Sequence, residues 1–158
     1  MLSFEEARQR VIEAFSPLAS ESVPIGQALG RVLAEDVTAQ LTMPRKDVSA
    51  MDGYAVRAAD IQTFPCKLII IGELAAGTTQ EFEVGPGQCT RIFTGAPLPV
   101  GTDTILIQEN AKRDGDNVQV LESCSLGRYV RKAGLDFSEG NTLATRGQRL
   151  SVRDLAVI

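Results

Sequence analysis

The chain of 158 residues carries 16 basic and 20 acidic side chains, a net charge of −4 without the basic footprint of a nucleic-acid binder. Hydrophobic residues make up 44% and charged residues 23%, the balance of a folded domain with its own core and not of a disordered chain. With no histidine and three scattered cysteines (Cys66, Cys89, Cys124), the sequence excludes Ser-His and Cys-His nucleophile pairs and His-ligated zinc, and fits free thiols in a reducing cytosol.

The N-terminus opens on a capping box, Ser3-Phe4-Glu5-Glu6. Phe4, Ala7, Val11, Ala14 and Phe15 then recur at helical spacing, which predicts an amphipathic helix of about three turns closing before Pro17. From its acidic, amphipathic start, no signal peptide is expected. A short helical turn is predicted over residues 25–29, ended by Gly30 in the left-handed conformation. From Arg31 the period changes. Val32, Leu33 and Val37 read as extended chain leading to Met43-Pro44, and Tyr54-Ala55-Val56 as a strand behind an Asp52-Gly53 turn. Leu68-Ile69-Ile70-Ile71 reads as a buried strand, and Cys89 to Phe93 as another after Gly85-Pro86-Gly87. Residues 105–108 and 118–121 flank Asp114-Gly115 and read as the arms of a hairpin with a long loop. The expected fold is therefore mostly β with a few helices. No apolar run approaches the ~18 residues of a membrane-crossing helix.

Residues 128–153 hold six basic side chains (Arg128, Arg131, Lys132, Arg146, Arg149, Arg153) against two acids (Asp136, Glu139) in a chain that is acidic elsewhere. Such a strip can concentrate an anionic ligand, although a solvated face of paired arginines is the plainer reading. Three loops invite chemistry. In residues 44–57, Asp52-Gly53 makes a sharp turn from which the carboxylate can project, to orient water or share a Mg²⁺ ion, unless it is an ordinary Asp-Gly turn. In residues 91–103, a strand ends in Thr94-Gly95 and two prolines stiffen the exit. Thr94 offers a hydroxyl and Gly95 an amide to an oxyanion, or else the segment is only a rigid connection. In residues 131–136, Arg131 and Lys132 can meet phosphate, or form a surface turn held by Asp136.

Taken together these loops are more specific than any one of them. Ser-Ala-Met-Asp-Gly-Tyr-Ala at 49–55, Arg-Ile-x-Thr-Gly-Ala-Pro-x-Pro-x-Gly at 91–101 and Arg-x-x-Gly-x-Asp at 131–136 stand in the order and spacing of one family. The chain resembles the N-terminal region of molybdopterin molybdenumtransferase, the MoeA family, whose relatives include the gephyrin E domain. Ala-Leu-Gly-Arg-Val-Leu-Ala at 28–34 is similar to the family's opening. Lys46 stands where the family often has an aromatic residue, and Leu135 where a glutamate is usual.

The resemblance implies an elongated homodimer. It implies a discontinuous dimerisation domain from residues 1–43 and 125–158, with an inserted β-rich domain at 44–124. It implies insertion of molybdate into the dithiolene of adenylylated molybdopterin, with Mg²⁺-dependent release of AMP, in the cytoplasm and without nucleic acid or membrane. By motif position, Asp52 and Thr94 are the expected catalytic residues. Ser49, Gly95, Arg131, Lys132 and Asp136 are the expected substrate-binding residues, and no protein metal site is expected within the chain. The family continues into a third domain that binds pterin and nucleotide. The 158 residues alone are therefore expected to be inactive, with Mg²⁺ held mainly by substrate and that domain. A non-catalytic dimerisation or scaffold module is the other class of function these residues allow.

Overall fold

The computed structural model describes residues 2–63 and 65–158. The chain divides into two compact units. One is made of the chain up to Thr38 together with Thr142–Ile158, and the other is Ala39–Asn141. The compact units join at 38/39 and 141/142.

The unit built from the two ends starts with helix α1, Phe4–Glu13. Ser3 caps it in the expected way. The Glu6 N–H donates to Ser3 Oγ at 3.2 Å, and the Ser3 N–H donates to Glu6 Oε2 at 2.8 Å. No residue of α1 is buried. The second helical turn is a 3₁₀ turn over Ile25–Gln27, shorter than expected, and Gly30 follows with φ of 76°. Strand β1, Val37–Thr38, pairs antiparallel with Thr142–Ala144, a late strand of the same unit. Backbone bonds between residues 30–33 and 147–150 extend this pairing, and helix α2, Val152–Leu155, closes the unit under a second capping box from Ser151 and Asp154.

The Ala39–Asn141 unit is a six-stranded sheet with two short strands beside it. Its strands are β2 (Val48–Ser49), β3 (Gly53–Val56), β4 (Cys66–Leu74), β5 (Gln88–Ile92), β6 (Thr104–Ile107), β7 (Ala111–Asp114), β8 (Asn117–Val120) and β9 (Val130–Arg131). Thr142–Ala144 in the other unit is β10. The sheet order is β6-β3-β5-β4-β8-β7, with β2 paired to β9 outside it. Neighbours run antiparallel except β4 and β5, which are parallel. Gly53 is required by close approach: a Cβ there would run into the Leu106 carbonyl of β6.

Alternation along the strands separates two cores. Tyr54, Val56, Ile61, Leu68, Cys89, Leu106, Val118 and Val120 form one; Ala55, Leu74, Ile92, Ala96 and Ile105 form the other. Burying each larger aliphatic side chain contributes roughly 1.5–3 kcal/mol relative to leaving it in water.

Two strands differ from what the sequence predicts. The β4 run is not buried throughout, because Leu68 is 1% exposed and Ile69 is 54% exposed, so it alternates across a sheet with one wetter face. The hairpin around Asp114-Gly115 pairs β7 with β8, not residues 105–108 with 118–121; β6 pairs with β3 at the far edge. β7 reads Ala-Lys-Arg-Asp and is largely exposed, so it lacks the alternation by which strands are found in sequence. Among the described residues no helix is long and apolar enough to cross a membrane.

Candidate functional site

The Asp52-Gly53 turn opens β3, and Thr94-Gly95 lies just past the end of β5. Because β3 and β5 pair antiparallel with Gly53 opposite Ile92, the two bends are brought to the same end of the sheet. There they bond to one another. The Thr94 N–H and the Thr94 hydroxyl each donate to Asp52 Oδ1 at 2.8 Å. These two bonds, helped by the charge of Arg91, hold the Asp52 carboxyl below the usual carboxylate range. Asp52 is half-buried and Thr94 is exposed, so the pair meets solvent as an ionised carboxylate with one oxygen bonded by threonine.

Ser49 is buried. Its N–H donates to the Ala96 carbonyl at 2.9 Å, and its carbonyl accepts from the Gly95 N–H at 2.8 Å. Its hydroxyl donates to the Met51 carbonyl. Ser49 is thus the stitch between the first two motifs and turns its hydroxyl into its own loop. Gly95 has φ of 82°, a conformation that favours glycine. The oxyanion donors expected of this bend are occupied. Thr94 gives both of its donors to Asp52, Gly95 gives its N–H to Ser49, and the Ala96 N–H goes to Phe93.

The third motif is joined to the first loop by Asp47, a residue with no motif of its own. The Asp47 carboxylate accepts from Lys132 Nζ at 2.7 Å and from the Ala133 N–H at 2.9 Å. Its carbonyl accepts from the Leu98 N–H at 2.9 Å. Asp47, two residues before the first motif, therefore bonds to the second and third, and the Lys132 ammonium with the Ala133 amide holds its carboxyl below the usual range. β2 and β9 pair in the same place, Val48 opposite Arg131. Arg131 Nη2 reaches both Asp136 oxygens at 2.9 Å. Both cations of the third motif are thus matched by carboxylates.

The basic stretch 128–153 is divided between the two units. Arg128, Arg131 and Lys132 belong to one unit and Arg146, Arg149 and Arg153 to the other. Several have local partners: Arg128 lies over the Tyr129 ring at 4.6 Å, and Arg149 Nε donates to the Gly30 carbonyl at 3.1 Å.

A unit split in sequence and a mixed-sheet unit, with an ionised carboxylate and a threonine bonded at one end of the sheet, define a two-unit β-rich class of protein. The family description "MoeA N-terminal region (domain I and II)" matches residues 2–158. The chain belongs to this family. It is 36% identical over 143 residues to a molybdopterin molybdenumtransferase of Nostoc sp., covering 88% of this chain and 33% of that protein. It is 36% identical over 152 residues to molybdopterin molybdenumtransferase 2 of Mycobacterium tuberculosis, covering 94% and 38%. A crystal structure of the molybdopterin biosynthesis MoeA protein from Pyrococcus horikoshii superposes with a TM-score of 0.81 at 35% identity, over 87% of this chain and 37% of that one. The chain spans about a third of the length of the curated relatives it matches.

Proposed function

We propose that this chain supplies part of the reaction cleft and the dimer contacts of a cytoplasmic enzyme of molybdenum cofactor synthesis, which inserts molybdate into adenylylated molybdopterin and releases AMP. The names of its relatives support the reaction. The observation that carries the chain's own part is the direct bonding of Asp52 to Thr94. Held below the usual carboxylate range, Asp52 is ionised at neutral pH and cannot serve as a general acid there. Its role is to accept: it orients a water or a cation beside the phosphoanhydride while Thr94 fixes the carboxylate's rotation. Ser49 and Gly95 keep the two bends in register, and Arg131, Lys132 and Asp136 border the same region from the third motif.

Mg²⁺ fits only as a shared ion. No group of three or more Cys, Asp or Glu side chains able to hold a metal occurs among the described residues. Asp52 offers one carboxylate, and Mg²⁺ commonly takes one or two of these together with substrate phosphate and water. When bound it would offset charge on the phosphoanhydride.

Dimerisation is the second part of the proposal. Its support is the apolar surface around α1, where Phe4, Phe15 and Leu18 are 76%, 77% and 95% exposed. The same surface favours the other reading, a scaffold module without chemistry. One experiment separates them. Asp52→Asn, placed in this region of a full-length relative, should lower cofactor formation by roughly 10²-fold or more while the protein stays dimeric. Unchanged cofactor formation would leave only the scaffold. A monomeric mass for the chain at all concentrations would remove the dimer.

A further inference from the structure

We infer that Arg91 is the positioning residue that sets Asp52 against Thr94, with Gln108 as its brace. The inference rests on the reading of Asp52 as the working carboxylate. Arg91 stands on β5 directly opposite Tyr54 of β3. Its guanidinium reaches both bends at once. Nη1 donates to the carbonyl of Gly53, the residue after Asp52, at 3.0 Å. The same group lies over the ring of Phe93, the residue before Thr94, at 4.7 Å, and over the Tyr54 ring at 5.3 Å.

Gln108 completes the arrangement. Its Oε1 accepts from Arg91 Nη2 at 2.9 Å, and its backbone N–H donates to the Asp52 carbonyl at 3.2 Å. A ring of contacts therefore runs from the Asp52 carbonyl through Gln108 and Arg91 to the Gly53 carbonyl. A branch through Phe93 leads to Thr94. A planar fork with several fixed donors and two aromatic faces suits this place; a lysine keeps the charge over the rings but not the two-armed donation. Neither Arg91 nor Gln108 contacts the Asp52 carboxylate oxygens by hydrogen bond, so Gln108 acts through the backbone, and Arg91 through the Gly53 carbonyl, the Phe93 ring and its charge.

The test uses two readouts. In the 158-residue chain, Arg91→Met should speed hydrogen exchange of the Thr94 amide about tenfold, the scale of losing a bond to a charged group, while the amide of Ala55 in β3 keeps its rate. Arg91→Lys should fall between native and Arg91→Met. Gln108→Ala removes an exposed side chain, leaves the backbone bond to Asp52 in place, and should shift Thr94 by a smaller factor in the same direction. In a full-length relative carrying this region, Arg91→Met should lower kcat roughly 10-fold or more with KM little changed. Added to Asp52→Asn it should cost nothing further.

Unchanged Thr94 exchange in folded Arg91→Met and Gln108→Ala chains would overturn the inference, as would uniform acceleration across the sheet or a full additional loss in the double variant. If Arg91→Met does not fold, Thr94 exchange in Gln108→Ala decides alone. If Asp52→Asn leaves cofactor formation intact, the enzymatic reading fails, but the exchange result still tells whether Arg91 and Gln108 set the bend.

Discussion

The two units solve the same folding problem to different degrees. Ala39–Asn141 contains every large side chain that is fully buried among the described residues, including Ile61, Leu68, Leu74, Ile92, Ile105 and Leu106. Among its described hydrophobic residues, the unit built from the chain ends buries only Ala28, Ala144 and Leu150, and α1 buries none. The same apolar periodicity that makes a helix amphipathic thus ends in solvent in one unit, while alternation in the other closes two cores around a sheet. The lesson is about where precision resides. The candidate site residues sit on the unit whose backbone is fixed by its own packing. The unit with exposed aromatics has surface left for association.

The sharpest way to break this contrast is a core truncation. Leu106→Ala should lower stability by about 3 kcal/mol in denaturant titration, since it empties a fully buried site beside Val56 and Tyr54. A loss below about 1 kcal/mol would mean the sheet does not carry the stability. Next in size, Ser3→Ala should remove about 1 kcal/mol from α1, seen as lost helix signal in far-UV circular dichroism with the sheet unaffected.

A smaller effect follows from Asp47. Its folded pKa lies below its unfolded value, so its stabilisation is present above the unfolded pKa and disappears as pH falls through the folded one. Asp47→Asn should therefore cost about 0.5 kcal/mol at neutral pH, a screened surface pair, and nothing in strong acid. An unchanged difference at both pH values would show that the ion pair with Lys132 is not its source. The smallest effect is expected for Phe15→Ala, within about 0.5 kcal/mol in dilute solution, because the ring is already exposed. A change in self-association alone would sharpen the contrast, whereas a loss as large as that of Leu106→Ala would erase it.

Much of this was legible from residue order. Ser3 and Glu6 announce the first helix because both partners of a capping box are visible in four residues. Asp52 and Thr94 stand out because glycine follows each, and a sharp bend at the end of a strand leaves its side chain free to project. Their direct bond was not legible, because it depends on β3 and β5 pairing across about forty residues. Asp47 was passed over for a similar reason. Between Lys46 and Val48 it has the pattern of a surface charge, and only the return of residues 130–133 beside β2 gives it Lys132 and Ala133. β7 was missed because an edge strand of Ala-Lys-Arg-Asp has no apolar side to repeat. β1, β2 and β9 are two residues each, too short for any periodicity.

Cys89 sits at the middle of the sheet, wholly buried, and burial pushes its thiol up to about 12. Cys66 and Cys124 lie on the margin of the same core and are partly exposed. A thiol reacts as its thiolate, so alkylating reagents should reach the marginal pair through local breathing and Cys89 only when the sheet comes apart. The native chain thus carries its own clock for global opening: timed labelling of Cys89, read by mass, measures how often the whole sheet visits the unfolded state without any introduced cysteine.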